Sequence, residues 1–85
     1  MSTSNFTMFS TQWCGYCKRL KSQLNEAGIE FTEVDIEIDS ESAALVERVN
    51  GGNQIVPTLL FADGSALTNP SVIAIKAKLQ QLASA

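Results

Sequence analysis

The sequence predicts an α/β domain: a four-stranded mixed sheet flanked by three helices, in the order βαβαββα. Three observations carry that expectation. A strand-like run, a helical stretch and an alternating run follow one another over residues 5–39, and such a start places two parallel strands joined by a right-handed crossover. The later run VPTLLF, followed by Asp63-Gly64, announces an antiparallel hairpin. An apolar stripe of helical spacing occupies the last stretch. The 85 residues have room for one domain, 1–85, and no more.

Each element has its own local reason. NFTMFS, residues 5–10, is short and aromatic-rich, the make-up of a strand. Residues 14–27 are helical in composition, with Leu20 and Leu24 on one face and Gly28 as a C-terminal stop. FTEVDIEID, residues 31–39, sets Thr32, Val34, Ile36 and Ile38 against Glu33, Asp35, Glu37 and Asp39. That is period two, a strand with one wet face, whose later part can equally be a loop. Residues 41–50 place Leu45, Val46 and Val49 on a helical stripe that Asn50-Gly51-Gly52 ends. Residues 56–61 form an apolar strand opened by Pro57, where the missing N–H does least harm. Its hairpin partner is expected near Ser65–Thr68. Asn69-Pro70 reads as an N-cap followed by proline at the first helical position. Val72, Ile73, Leu79 and Leu82 are expected to form the buried side of the last helix.

The bulk numbers exclude several function classes. A hydrophobic fraction of 45% and a charged fraction of 18% are those of a folded protein. No apolar run approaches the length of a membrane span, so no membrane partner is expected. The N-terminal MSTSNFTMFS lacks a basic region, an apolar stretch and a small-residue cleavage site, and the expected address is the cytoplasm. Net charge is −3, with eight acids and no base from Glu26 to Glu47. Nucleic acid is therefore not expected as a partner, because phosphate binding needs a broad basic face. Three of the six bases, Lys18, Arg19 and Lys21, follow directly on the second cysteine. They read either as electrostatic support for the cysteines or as the wet face of a helix.

TQWCGYCKRL, residues 11–20, holds both cysteines of the chain. Cys14 lies where a strand ends and a helix begins, beside free amides and the positive end of the helix dipole. A thiol there is expected to ionise more readily than free cysteine, and its sulfur to stand open to solvent. The chain has no histidine, so activation falls to backbone amides and the neighbouring cations. Cys17, one turn inward, is near enough to form a disulfide with Cys14. The division of labour follows: the outer sulfur attacks and the inner one resolves. Gly15 permits close backbone approach, and Tyr16 offers a flat wall to a bound thiol. Competing readings are weaker. A structural disulfide closing so small a loop adds little stability. A zinc site or an iron–sulfur cluster needs four ligands, hence two chains. Two inert core cysteines are a further alternative, but the C-x-x-C spacing joined to a strand–helix–strand start favours redox chemistry.

Val56-Pro57 is the second feature. A trans proline at a strand start is the ordinary reading. A cis bond would leave the backbone groups of Val56 facing outward, where an extended thiol ligand or a peptide could pair with them.

WCGYC at 13–17, VDIE at 34–37, VNGGN at 49–53, VPT at 56–58 and FADGSALTNPS at 61–71 together resemble the glutaredoxins of the thioredoxin fold, and among them the mycoredoxins of actinomycetes. The resemblance spans nearly the whole chain. It implies a thioredoxin-like fold with Pro57 cis, and Cys14 as nucleophile. The implied substrate is a mixed disulfide between mycothiol and a protein or small molecule. Cys14 would take mycothiol as a covalent adduct, a second mycothiol would release it, and Cys17 need not take part. Electrons would come from NADPH through a mycothiol disulfide reductase. Tyr16, Val56, Pro57, Thr68 and Asn69 would line the thiol groove. Mycothiol would be a co-substrate, with no cofactor tightly bound, no resident metal, and S-mycothiolated proteins as partners of a monomer.

One departure bears on the thiol. Glutathione-using glutaredoxins usually carry a Gly-Gly pair and acidic or small residues ahead of the last helix, where backbone amides hold a glutathione carboxylate. Here that place is Thr68-Asn69-Pro70, and Pro70 has no N–H. Asn69 or Thr68 could instead bond the sugar hydroxyls of mycothiol. Two alternatives stand beside this reading: a dithiol electron donor to protein disulfides in which Cys17 is essential, and an iron–sulfur dimer formed through Cys14.

Overall fold

The computed structural model describes residues 5–84. The first four residues of the N-terminal stretch behind the expected cytoplasmic address therefore lie outside the described residues. The elements are β1 (Phe6–Ser10), α1 (Gly15–Glu26), β2 (Thr32–Asp35), α2 (Ser40–Val49), β3 (Thr58–Phe61), β4 (Ala66–Thr68) and α3 (Val72–Ser84). The sheet order is β2-β1-β3-β4. β1 runs parallel to β2 and antiparallel to β3, and β3 is antiparallel to β4.

Strand alternation divides the core between two faces. Phe6 and Met8 of β1, with Leu59 and Phe61 of β3, pack with Leu20 and Leu24 of α1 and Ile75 of α3. Phe9 points the other way, to Ile36 and to Val46 of α2. Thus α1 and α3 share one face and α2 covers the other. Each fully buried aliphatic side chain contributes roughly 1.5–3 kcal/mol.

Caps set the element ends. Past α1, Gly28 has φ +71, its N–H donates to the Asn25 carbonyl, and that of Ile29 donates to Leu24. This paired closure needs the left-handed backbone that glycine supplies without strain. β2 stops at Asp35, earlier than the alternating run. Asp35 Oδ1 accepts the Glu37 amide at 2.8 Å and turns the chain. Asp39 then caps α2, accepting from the amides of Glu41 and Ser42. Ile38 is consequently 79% exposed.

Two expectations for α3 are corrected. The cap is Ser71, whose Oγ accepts the Ala74 amide at 3.1 Å, while Asn69 is held at φ 47 by its place at the end of the hairpin. The buried stripe is Val72, Ile75, Leu79 and Leu82. Ile73 lies off it and is 80% exposed, because residues 73 and 75 sit about 200° apart around a helix.

Candidate active site

The turn after β1 delivers Cys14 to the start of α1, where it is the N-cap residue. The Cys17 amide donates to Cys14 Sγ at 3.2 Å, so a first-turn N–H that the helix leaves unpaired points at the sulfur, an arrangement suited to a negative charge there. The Cys14 thiol faces the carbonyl oxygen of Val56, to which it donates at 3.8 Å. Both cysteines are free thiols.

The residue is less open than its sequence position promised. Cys14 is 5% exposed, with Trp13 at 70% and Tyr16 at 65% beside it in the chain. The reason is the capping role itself, which turns the side chain in toward the amides of its own helix. The expectation of a sulfur open to solvent is thus corrected: Cys14 is buried with the core cluster.

Cys17, 1% exposed, lies deeper still. Its thiol is pushed up to about 12, first by burial and next by its hydrogen bond to Cys14. A backbone hydrogen bond with Thr11 opposes the rise, and the charges of Cys14 and Glu33 add to it. Cys17 therefore holds its proton at neutral pH.

The Val56-Pro57 bond is cis, as the resemblance implied. The three cations separate. Lys21 is bound to Glu33 at 3.1 Å, and Glu33 also accepts from Ser10 Oγ at 2.7 Å. Lys18 and Lys21 line a hollow of about 320 Å³ with Glu33 and Asp35. Arg19 lies elsewhere, in a groove of about 400 Å³ between α1 and the start of α3, with Tyr16, Gln23, Asn69, Pro70 and Ile73. Helical geometry explains the split: residues 18 and 21 share a face, and 19 is turned about 100° away. The groove thus joins Tyr16 to Asn69, while Val56 faces the sulfur and Pro57 is buried behind it. Nothing in the protein's own packing requires glycine at position 15, since a side chain there meets nothing within 4 Å.

Thr68 is engaged internally, its hydroxyl donating to Asn50 Oδ1 at 2.7 Å. The Asn69 amide donates to the Pro57 carbonyl at 2.7 Å. With Pro70 lacking an N–H, neither residue has a backbone donor free for a bound carboxylate. Sequence reasoning missed Asn50 and Thr58 altogether. Asn50 sat in an N-G-G run that reads as a helix stop, and its side-chain partners are eight and eighteen residues away.

The glutaredoxin family model matches residues 6–66. The chain belongs to the glutaredoxin family. It is 53% identical over 83 residues to a protein of Mycobacterium tuberculosis named as a glutaredoxin, covering 98% of this chain and 99% of that one. It is 41% identical over 80 residues to mycoredoxin 1 of Corynebacterium glutamicum, covering 94% and 99%. The fold matches the crystal structure of the glutaredoxin from Methanosarcina mazei Go1 with a TM-score of 0.75 at 23% identity, over 89% of this chain and 78% of that one. This glutaredoxin is accordingly a thiol–disulfide oxidoreductase of thioredoxin-like fold, similar to the mycoredoxins. Among its described residues no helix is long and apolar enough to cross a membrane.

Proposed function

We propose that this glutaredoxin frees thiols from mixed disulfides with mycothiol, working in the cytoplasm as a monomer with mycothiol as co-substrate. The Cys14 thiolate attacks the mycothiol sulfur of the mixed disulfide. A Cys14–mycothiol disulfide forms, and the target sulfur leaves as a thiolate and takes up a proton. A second mycothiol, as thiolate, attacks the mycothiol sulfur of the adduct. That yields mycothiol disulfide and restores the Cys14 thiolate. Mycothiol disulfide reductase returns the disulfide to two thiols with electrons from NADPH and protons from water. S-mycothiolated proteins are the partners.

The observation that carries the one-thiol route is the asymmetry of the pair. Cys14 Sγ accepts an amide at 3.2 Å; Cys17 is the deeper of the two, and its thiol is pushed up by burial and by its bond to Cys14. A protonated thiol is a poor nucleophile, so at neutral pH the adduct on Cys14 persists long enough to meet an incoming mycothiol. Mycothiol as the thiol is supported by the likeness to mycoredoxin 1. It is supported too by the missing backbone donors at Asn69 and Pro70. Tyr16 and Asn69 would wall the thiol, with Val56 and Pro57 beside the sulfur and Arg19 at the far end of the groove. In this arrangement Lys18 and Lys21 act on Glu33 and its neighbours more than on Cys14.

The test is a coupled assay that offers a mycothiolated peptide with the mycothiol system and a glutathionylated peptide with the glutathione system, side by side. Turnover is expected with mycothiol, retained in Cys17→Ser and abolished in Cys14→Ser. Preference for glutathione would sink the substrate assignment. Loss of turnover in Cys17→Ser would move the protein to the dithiol route.

A further inference from the structure

We propose that Asn50 is a positioning residue for the redox site: it locks the loop of residues 51–57, and with it the Val56 carbonyl, against Cys14. The inference rests on Cys14 being the attacking sulfur. Val56 packs on both core clusters and Pro57 is buried, but the run before them has no such hold. Residues 51–55 are all exposed, and Gly51 and Gly52 stand at φ +75 and +114. No apolar anchor fixes the chain between α2 and Val56, so its position depends on hydrogen bonds.

Glu47 holds the first part, its carboxylate accepting from Gln54 Nε2 at 2.6 Å and its carbonyl from the Gly52 amide at 2.7 Å; the bonds nearest Val56 converge on the side chain of Asn50. Asn50 Nδ2 donates to the Ile55 carbonyl at 3.3 Å and to Thr58 Oγ1 at 3.0 Å. Its Oδ1 accepts from Thr68 Oγ1 at 2.7 Å. Thr58 Oγ1 in turn donates to the same Ile55 carbonyl at 2.6 Å. Asn53 completes the clasp, donating to the Asn50 carbonyl at 3.2 Å and accepting the Ile55 amide at 3.1 Å. Both backbone groups of Ile55 are therefore tied, and the next carbonyl along the chain is the one that faces Cys14 Sγ. A carboxamide suits this node, since it needs two donors and an acceptor in one plane. Aspartate has the shape but no donor, and it would set a charge against the Ile55 carbonyl.

A staple that merely joined β3 to β4 would influence stability alone. A positioning residue also influences how well substrate is held. The test measures KM and kcat for a mycothiolated peptide in Asn50→Asp and Thr58→Val, with Phe6→Leu as a stability control at the far end of β1. Thr58 is fully buried, so its hydroxyl cannot touch substrate and acts only through the loop. Asn50→Asp is expected to raise KM about tenfold with kcat within about twofold, the signature of lost binding. Thr58→Val is expected to raise KM about threefold, and Phe6→Leu to lower Tm and leave KM in place. A KM unchanged in the folded Asn50→Asp protein, or a rise matched by Phe6→Leu at equal loss of Tm, overturns the proposal. Should Asn50→Asp fail to fold, Thr58→Val decides alone: an unchanged KM overturns it and a raised one supports it. Failure of the mycothiol reading has a different signature. Wild type would then turn over the glutathionylated peptide instead, and the same variants are compared on that substrate.

Discussion

At its start, β1 carries Phe6, whose ring is stacked on Phe31 at 5.8 Å and tilted against Phe61 at 5.3 Å. Beyond its end come Cys14 and, across from it, the carbonyl of Val56 and the bonded cluster of Asn50, Thr58 and Thr68. The aromatic end is held by area and dispersion, which are insensitive to small rotations. The cysteine end is held by hydrogen bonds, which fail when an angle or a donor is lost. A small domain thus separates the part that supplies stability from the part that supplies geometry. A truncation at one end and a polar swap at the other should therefore leave different traces.

The largest expected effect comes from the aromatic end. Phe6 is 3% exposed, and Phe6→Ala removes a ring packed between two others. The expected loss is about 3–5 kcal/mol of unfolding free energy, measured by urea denaturation. The rate at which iodoacetamide alkylates Cys14 in the folded fraction should not change. An altered alkylation rate would break the division, because it would show that ring packing at the far end reaches the sulfur.

A smaller effect distinguishes the two sulfurs. Burial first, and then the bond to Cys14, raise the Cys17 thiol from 9.0 to about 12. The folded protein thus binds this proton more tightly than the unfolded chain does. Below pH 9 both states hold it and the contribution to stability is whole. As pH rises from 9 towards 12 the unfolded chain ionises first and stability falls. Urea midpoints taken across that range should decline less steeply in Cys17→Ser than in wild type. Equal slopes would mean that Cys17 is no more buried in charge than a cysteine in a peptide, and the contrast with Cys14 would lose its basis.

How much of this was legible in the sequence depends on the range of each interaction. Cys14, Cys17 and their helix start were readable because capping and C-x-x-C spacing are local. Leu20 and Leu24 were readable because a helical period exposes its own buried face. The Asx turn at Asp35 was not, since an alternating run gives no sign that one carboxylate will accept the Glu37 amide and end the strand. The start of α3 was misread because Asn69-Pro70 and Ser71 are both acceptable caps, and only the hairpin, which draws the Asn69 amide to Pro57, decides between them. The Asn50 cluster was illegible for the same reason at longer range. Its partners come from three segments that meet only after the sheet has formed.

The smallest effect sharpens the comparison at the hairpin that closes the aromatic end. Asp63 accepts from the Ser65 hydroxyl at 2.6 Å and from the Ser65 amide at 3.0 Å. Lys78 binds its other oxygen at 3.0 Å and stands 5.9 Å from the centre of the Phe61 ring. The Ser65 hydroxyl and amide, and then Lys78, lower the carboxyl from 3.8 to about 2. Here the sign is reversed: the folded state binds the proton less tightly. The contribution is present above pH 3.8 and is lost as pH falls towards 2. In Asp63→Asn the acid limb of the stability curve should flatten over that interval, while KM and the alkylation of Cys14 stay as in wild type. The group is solvated, so salt should weaken the Lys78 part and leave the Ser65 part. If the variant instead shifted KM, a polar bond at the aromatic end would be reporting to the site, and the boundary drawn along β1 would be in the wrong place.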